Sequence, residues 1–261
     1  MSNFEIFTLT MLLTLLLVYR VWIYAVRIEN FSVIDVAWSL GFFVQAMVFL
    51  SLSNGYPARK TALFLMISAW SLRLGFFLFR RVRSHHPKED TRYARLRSEY
   101  GPAYKERFLK FFMMQAVSIS VLTLPFIFVF NNQGENLSGT EWAGIVFFLF
   151  SLAGESLADW QMSRFKASPA NKGKVCDAGL WRYSRHPNYF FESCIWFSYF
   201  VFMLGTAGMG WGIYAPLTIL FLLLKVTGVP PSEAQSLVSR GELYKDYQKK
   251  TSVFFPLPRK S

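Results

Sequence analysis

The sequence predicts an all-α membrane protein: a bundle of seven transmembrane helices with the N-terminus outside and the C-terminus cytoplasmic, plus interfacial cytoplasmic helices. Three observations predict it. Apolar and aromatic residues make up 53% of the 261 residues and charged residues only 17%, against about 25% in a soluble domain. The apolar residues form stretches long enough to cross about 30 Å of hydrocarbon. Lys and Arg, which give a net charge of +12, are concentrated between particular stretches.

Seven apolar stretches are expected to form the spans, because a backbone that crosses lipid must pair its own polar groups and therefore becomes helical. They lie at residues 4–26, 33–52, 61–79, 111–130, 141–163, 188–206 and 211–228. The first stretch is too long for a cleaved signal peptide and lacks its flanking signals. We therefore expect it to remain as a membrane helix.

The basic residues orient the predicted bundle, because Lys and Arg next to spans stay on the cytoplasmic side. Their distribution is uneven, with ten in 80–110, six in 164–187 and six after Pro230, against none in 131–140 and 207–210. With seven alternating spans the basic segments all face the cytoplasm, and Arg59 and Lys60 are the exceptions. The positive charge is therefore expected to orient the spans and to contact anionic lipid headgroups. No nucleic acid partner is expected.

Ionisable side chains inside the spans cost about 2.5–3.5 kcal/mol each at a helix centre, so each is a candidate functional residue. Asp35 opens the second span and shares a helical face with Trp38, three residues on. Arg73 lies inside the third span, three residues after Trp70. For Arg73 the alternative to a functional role is snorkelling toward the cytoplasmic boundary.

The fifth span ends in Glu155 and Asp159, four residues apart, followed by Arg164 and Lys166 at the predicted membrane exit. Two carboxylates on one helical face that pointed into lipid would repel each other and be poorly solvated. They are therefore expected to face a polar cavity or basic partners. The alternative is an ion-pair network that only ties helices together.

The densest polar passage, GLWRYSRHPNYFFE at 179–192, opens the sixth span. Pro187 suits the first turn of a helix, where its missing N–H is not needed. The free N–H groups and the positive dipole end of that helix, flanked by Arg182 and Arg185, predict an anion site at the cytoplasmic boundary. The alternative is a contact with lipid headgroups.

Further into the same helix, Asn188 and Glu192 lie four residues apart on one face, with Tyr189 beside them. A headgroup contact does not explain why an amide and a carboxylate would point into the bundle. They are therefore candidate binding residues.

The polar tail is expected to form a helix over 232–250 along the cytoplasmic face, capped by Ser232. Two prolines in GVPPSE, at 228–233, break it from the seventh span. Tyr244 and Tyr247 supply aromatic anchors. Such a helix is either a lid over a site or an interfacial anchor.

No metal site is expected. His85, His86 and Asp90 stand close together, but their spacing matches no standard ligand pattern. The two Cys form neither a CxxC motif nor a disulfide framework. The glycines at 205–210 follow a membrane helix and not a strand, so the requirement for a Rossmann nucleotide loop fails.

The motif GLWRYSRHPNYFFE, together with GVPPSEAQ and YKDYQKKTSVFFPLP in the tail, resembles the uncharacterised bacterial membrane family DUF1295, which is related to the steroid 5α-reductases. DVAWSLGF (35–42), WSLRLGFF (70–77) and EDTRY (89–93) are similar to N-terminal motifs of that family. The resemblance implies one seven-helix domain over 1–261, in a bacterial inner membrane. It also implies NADPH bound from the cytoplasmic side and reduction of a carbon–carbon double bond conjugated to a carbonyl in a hydrophobic substrate.

The resemblance implies roles for particular residues. Spans at 4–79 are expected to form the substrate slot and residues 111–261 the cofactor-binding half. Asn188, Tyr189 and Glu192 of the motif are expected to contact NADPH. The other residues expected to bind it are Arg73, Asp90, Arg92, Tyr93, Glu155, Asp159, Lys166, Lys174, Arg182, Tyr183, Ser184, Arg185, His186 and Tyr247. Phe191 departs from the family pattern, which usually has glycine there.

A catalytic role is predicted for three residues of the N-terminal spans. As an enone accepts hydride, negative charge builds on its carbonyl oxygen and needs an oriented donor. Asp35 is the predicted donor, protonated in a low-dielectric cavity, and Trp38 and Trp70 are expected to line an apolar slot open to lipid. The alternative role of Asp35 is an ion pair with Arg73. Membrane lipids and a substrate entering from the bilayer are the expected partners, and a monomer is expected.

The runner-up belongs to another reaction class. The ArgHisProxTyr element also occurs in membrane isoprenylcysteine carboxyl methyltransferases, which bind S-adenosylmethionine. Their tail usually carries paired glutamates, whereas here a single Glu233 follows ValProProSer, and Asn188 and Glu192 match the reductase version. The reductase is therefore the prediction and the methyltransferase the alternative. A third alternative, a non-catalytic lipid-binding or scaffold protein, leaves the buried ionisable residues unexplained.

Overall fold

A computed structural model describes residues 1–259, which form helices joined by turns and contain no strand. The helices in chain order are α1 (Asn3–Arg27), α2 (Val33–Leu52), α3 (Pro57–His85), α4 (Thr91–Tyr100), α5 (Tyr104–Phe130), α6 (Gly139–Ala167), α7 (Pro187–Met203), α8 (Tyr214–Phe221), α9 (Val229–Arg240) and α10 (Glu242–Lys250). The chain divides into two compact units, residues 1–137 and residues from 138 onward. Helices α1–α5 therefore belong to the first unit and α6–α10 to the second.

Six helical segments of the described chain are long and apolar enough to cross a membrane. They are Asn3–Arg27, Val33–Leu52, Pro57–His85, Thr91–Phe130, Gly139–Ala167 and Met209–Arg240. The protein is therefore an all-helical, multi-pass membrane protein. The predicted span at 188–206 forms α7, which has 17 residues and is not among the six.

Three segments differ from the sequence prediction. The stretch 211–228 is not a uniform α-helix, because a π-helical turn, Leu222–Val226, follows α8. The polar segment before α5 contains α4, whose N-cap is Asp90. The tail, expected as one helix from Ser232, instead begins at Val229 and breaks at Gly241, where φ is 53°. Glycine adopts this positive φ without the penalty that a Cβ brings.

A buried amide ties together three helices of the first unit. Gln45 Nε2 donates to Thr14 Oγ1 and to Ser120 Oγ, each at 2.8 Å, and its Oε1 accepts from Thr123 Oγ1. All four side chains are buried. Interhelical hydrogen bonds inside a membrane stabilise by only about 0.6 kcal/mol on average. The network therefore serves mainly to align α1, α2 and α5.

The two basic residues that break the charge pattern are bound by their own loops. Arg59 is 3% exposed. Its Nη1 donates to the carbonyls of Asn132 at 3.1 Å and Gly134 at 2.6 Å, and its Nη2 donates to that of Asn136 at 2.8 Å. Lys60 donates to a backbone carbonyl before α3. These contacts give both cations a structural reason for lying at the start of α3.

In the second unit, α6 and α7 pack closely at two glycines of α6. A Cβ on Gly144 would lie 2.7 Å from the backbone nitrogen of Phe202 and 2.8 Å from its Cα. Gly154 faces the ring of Phe191, with no room for a Cβ. Phe191 therefore occupies the space that Gly154 leaves free, which accommodates the departure from the family pattern at position 191.

Gly144→Ala is expected to destabilise the protein by about 1–3 kcal/mol, the usual cost of overpacking. The added methyl group meets the backbone of α7, which cannot rotate away as a side chain would. Thermal unfolding of the detergent-purified protein measures the effect.

Gly139→Ala, in the first turn of the same helix, is the matched control, because no atom lies within 4 Å of the added Cβ. A Gly144→Ala variant as stable as this control would show that α6 and α7 do not approach each other as described.

Candidate functional site

In the first unit, polar side chains from α2, α3 and the start of α4 converge; we refer to Asp35, Arg81, Asp90, Arg92 and Tyr93 as the Asp35 cluster. Asp35 accepts a hydrogen bond at each carboxylate oxygen, from Arg92 Nη2 at 2.8 Å and from the Tyr93 hydroxyl at 2.5 Å. Arg92 Nε also pairs with Asp90 Oδ1 at 3.1 Å, and Arg81 Nη2 with Asp90 Oδ2 at 2.5 Å. The cluster is thus a continuous chain of alternating charges with one phenol.

The geometry changes the expected role of Asp35. Its hydrogen-bond partners within residues 1–259 are Arg92 and Tyr93, and not Arg73, the alternative partner that the sequence suggested. Because both oxygens of Asp35 accept hydrogen bonds, its carboxylate is not placed as a donor in this arrangement. The hydroxyl hydrogen of the cluster belongs to Tyr93, whose ring also lies 5.4 Å from the Arg92 guanidinium carbon.

Opposing influences act on the pKa of Asp90. Burial raises it, but the hydrogen bonds and charge of Arg92, together with the charge of Arg81, outweigh burial and hold the pKa of Asp90 below its usual value. Ionised Asp90 therefore stabilises the fold above its unfolded-state pKa of about 3.9. That stabilisation is lost as the pH falls through the folded-state pKa.

Asp90→Asn is expected to remove this part of the acid sensitivity. The wild type should lose thermal stability more steeply below about pH 4 than the variant does. Asn is also a good N-cap, so the start of α4 is preserved. Glu99→Gln, which removes an exposed carboxylate paired with Arg95, is the control. Parallel pH profiles for Asp90→Asn and the wild type would contradict the prediction.

The two predicted catalytic tryptophans lie together in the interior of the first unit. Trp70 is fully buried and Trp38 partly so. Their ring centroids are 6.4 Å apart, edge to face, and Phe42 contacts both. Trp38 Nε1 donates to Ser118 Oγ on α5 at 3.0 Å. Both indoles thus pack against neighbouring helices.

In the second unit, a different cluster forms around a glutamate of the tail; we refer to Arg185, His186, Glu233, Tyr244 and Gln248 as the Glu233 cluster. Glu233 accepts from Arg185 Nε at 2.6 Å and from Gln248 Nε2 at 3.0 Å. His186 Nε2 and the Tyr244 hydroxyl each lie 3.4 Å from Glu233 Oε1. Arg185 Nη1 also donates to two backbone carbonyls near the end of α10. The start of α7 is therefore fixed to α9 and α10.

The sequence prediction missed three members of this cluster as site residues. Glu233 lies 48 positions after Arg185, and no local pattern links the two. The available sequence signal for Glu233 was its position as a single acidic residue shortly after two prolines. Burial and the charge of Glu233 raise the pKa of Tyr244 to about 12, so its hydroxyl stays protonated at neutral pH. Gln248 gave no signal.

The first turn of α7 carries the motif residues. The rings of His186 and Tyr189 stack, with centroids 5.3 Å apart and planes 6° apart. Trp196 Nε1 donates to Glu192 Oε1 at 3.0 Å. Asn188 Oδ1 is buried and accepts no hydrogen bond from the described chain. No side chain of the described residues caps the start of α7, where the positive end of the helix dipole lies.

Glu155 belongs to the same region of the second unit. It is buried on α6. Glu155 and Glu192 both interact electrostatically with Tyr199, which is fully buried on α7. The carboxylates of Glu155 on α6 and Glu192 on α7 thus both lie near the same buried tyrosine.

The remaining predicted residues of the second unit differ in their surroundings. Ser184 Oγ donates to the carbonyl of Phe254 at 2.7 Å, and the Tyr247 hydroxyl donates to the carbonyl of Trp181. These two hold the tail in place. Four others are exposed or half-exposed: Asp159, Lys166, Arg182 and Tyr183. Lys174 lines a small cavity with Tyr247.

Residues 21–251 match the family described as "Protein of unknown function (DUF1295)". The chain belongs to the DUF1295 family. The predicted family is thereby confirmed, and the match spans the residues of both clusters. An uncharacterised protein of Schizosaccharomyces pombe is 27% identical over 280 residues, which cover 97% of this DUF1295 protein and 80% of the yeast protein. No solved structure matches the chain.

Proposed function

We propose that this DUF1295 protein is an NADPH-dependent membrane oxidoreductase that reduces a carbon–carbon double bond conjugated to a carbonyl. Its substrate is a hydrophobic molecule that enters from the bilayer, and the protein acts as a monomer. The observation that carries the proposal is Asn188 Oδ1, a buried acceptor without a protein donor at the start of α7. Such an atom costs free energy unless a ligand donor reaches it.

The second unit offers groups that suit the parts of NADPH. The positive dipole end at the start of α7 suits a pyrophosphate, and the acceptor of Asn188 suits the amide N–H of a nicotinamide carboxamide. The carboxylates of Glu192 and Glu155 suit ribose hydroxyls. In this proposal Arg185 positions the start of α7 and does not bind a phosphate, because Glu233 and backbone carbonyls already accept its hydrogen bonds.

In this proposal the proton comes from a hydroxyl of the Asp35 cluster. When bound, NADPH supplies a hydride, and the protein contributes position and charge. The negative charge that develops on the carbonyl oxygen needs a donor that is already oriented. Tyr93 carries the hydroxyl of the Asp35 cluster, which donates to Asp35 in this structure. In this proposal the hydroxyl turns from Asp35 to the carbonyl oxygen when the substrate is bound. Arg92 Nη2 donates a hydrogen bond to the other carboxylate oxygen of Asp35.

We also propose that α7 is a seventh span, with the N-terminus outside and the C-terminus in the cytoplasm. The charge distribution supports this, since residues 80–110 carry ten cations and residues 131–140 none. Cysteines introduced at Ser98, at Gln133 and at the exposed Ala207, which follows α7, test it in intact cells. We expect an impermeant maleimide to label positions 133 and 207 but not position 98. Labelling at 133 without labelling at 207 would show that α7 does not cross the membrane, and labelling at 98 alone would reverse the orientation.

Ligand-dependent thermal stabilisation of the purified protein tests the proposed function. A ligand that binds only the folded state raises stability by about 2.7 kcal/mol at one hundred times its Kd. We expect stabilisation by NADPH but not by S-adenosylmethionine. Asn188→Leu should lose most of it, whereas Gln235→Leu, which removes an exposed amide of α9, should retain it. No response to NADPH in the wild type would overturn the proposal.

A methyltransferase that uses S-adenosylmethionine is the second candidate. The contact of Arg185 and His186 with Glu233 favours it, because the ArgHisPro element and a tail glutamate are features shared with the isoprenylcysteine carboxyl methyltransferases. The single glutamate and the Asn188–Glu192 pair favour the reductase. Stabilisation by S-adenosylmethionine and not by NADPH would reverse the order.

A further inference from the structure

A small cavity of about 210 Å³ lies between the loop before Gly179 and α10 in the second unit. Its charged lining consists of Lys174, Asp177, Asp246, Lys250 and Arg259, and Tyr247 forms part of its wall. Pockets for drug-sized ligands start at about 300 Å³. The cavity therefore suits one small group and not a whole cofactor.

The charges around the cavity do not balance. Asp177 pairs with Arg259 at 3.2 Å, and Asp246 pairs at 3.2 Å with Lys249, which is not part of the lining. Each acid thus has its own cation. The ammonium groups of Lys174 and Lys250 make no hydrogen bond or ion pair within residues 1–259. Two positive charges at the cavity are therefore left without a counter-charge.

The cavity walls are held in place by contacts that do not use these two lysine side chains. Arg240 Nε donates to the backbone carbonyl of Lys174 at 2.9 Å, which fixes the loop to the end of α9. The Tyr247 hydroxyl donates to the carbonyl of Trp181. Arg259 Nε is buried and has no acceptor in the described chain. The site thus combines two exposed cations with one N–H donor that needs an acceptor.

We propose that this cavity binds a terminal phosphate group. A phosphate monoester carries close to two negative charges at neutral pH and presents several strong acceptor oxygens, which match two lysines and the Nε of Arg259. Lysine binds phosphate as a point charge and arginine as a directional donor. A carboxylate would neutralise only one of the two lysines. The phosphate comes either from a soluble compound or from a lipid headgroup.

A phosphate bound in this cavity would give Lys174 a specific ligand group within the proposed function. Under that function the soluble source is a phosphate of NADPH. The experiment below uses inorganic phosphate, so the site is tested without NADPH.

The test compares two double variants with the same change of charge. Lys174→Gln/Lys250→Gln removes both cavity cations, and Lys172→Gln/Lys245→Gln removes two exposed lysines outside the cavity. Detergent-purified proteins are titrated with inorganic phosphate at constant ionic strength, and the thermal midpoint is recorded. To reach the same rise in thermal midpoint, the cavity variant should need at least about tenfold more phosphate than the wild type and the control need. The reason is that it loses two charge-assisted contacts.

A second arm distinguishes the source of the phosphate. The same proteins are placed in nanodiscs of phosphatidylcholine, with or without phosphatidic acid, whose headgroup is a terminal phosphate monoester. A headgroup source predicts that phosphatidic acid stabilises the wild type and the control but not the cavity variant. A soluble source predicts the difference only with inorganic phosphate.

If the cavity variant equals the control in both arms, the phosphate site does not exist. A wild type that responds to phosphate but not to NADPH would contradict the proposed function and leave the site standing.

Discussion

Glu233→Gln is expected to lower the free energy of unfolding by about 3 kcal/mol, the low end of the range for breaking a buried ion pair. The side chains of Arg185 and Glu233 are only 11% and 17% exposed. Without the carboxylate, the guanidinium keeps its buried position but loses its counter-charge. The amide keeps one acceptor oxygen, but its NH2 group replaces the second one, so His186, Tyr244 and Gln248 can no longer all keep their contacts with residue 233. Because these residues join α7 to α9 and α10, the loss should loosen the whole start of α7.

Chemical or thermal unfolding in detergent measures this effect. Glu242→Gln removes a carboxylate from the exposed pair with Lys245 and should leave the midpoint unchanged. The double variant Arg185→Met/Glu233→Leu should recover part of the loss, because it leaves no unpaired charge in the cluster. If Glu233→Gln is as stable as Glu242→Gln, the pair does not hold the tail to α7.

Tyr93→Phe is expected to reduce turnover at least about a hundredfold, the usual contribution of a positioned proton donor. The substitution removes the hydroxyl that donates to Asp35. It keeps the ring, which packs near Phe108 and Phe111, and it keeps the pair between Asp35 and Arg92. Stabilisation by NADPH should therefore persist while reduction is lost.

The measurement is NADPH oxidation with a panel of lipid-soluble enones, alongside the thermal midpoint with and without NADPH. Tyr104→Phe is the matched control, because this tyrosine packs on Phe31 in the same unit and stands outside the Asp35 cluster. Full turnover by Tyr93→Phe would remove Tyr93 from the chemistry. A parallel loss in Tyr104→Phe would point to packing and not to proton transfer.

The two clusters show different ways in which a membrane protein uses a buried charge. Arg185 satisfies its donors with Glu233 and with backbone carbonyls, which gives it a positioning role. Asp35 accepts from a cation and from a phenol, and it is this phenol, Tyr93, that we propose as the proton donor. A charged residue in a polar passage is therefore not automatically a ligand-binding residue, because its donors can already be occupied within the protein.

Features that depend on residues close together in the sequence were predicted well. The long apolar stretches gave helices α1, α2, α3, α5 and α6, since only a helix pairs its own backbone inside lipid. Pro187 marked the start of α7, where a missing N–H is harmless. The motifs from Asp35 to the tail indicated the DUF1295 family, which the match over residues 21–251 confirms.

Helix irregularities were predicted less well. The π-helical turn at Leu222–Val226 and the break at Gly241 lie in segments whose hydropathy changes gradually. Hydropathy averages over several residues, whereas a π turn or a positive φ is decided by single backbone positions and their packing. For the same reason, the span predicted at 188–206 extends beyond the end of α7, which has 17 residues and ends at Met203.

By itself, the sequence determined the helical class, the family and which polar residues stand inside apolar segments, because lipid imposes a local rule on every stretch of chain. Only the tertiary structure decided which of those residues meet. Asp35 pairs with Arg92 and Tyr93, 57 and 58 positions away, and Arg185 pairs with Glu233. The physical reason is that helices pack side by side, so partners are chosen by rotation and depth in the bundle, which no local pattern encodes.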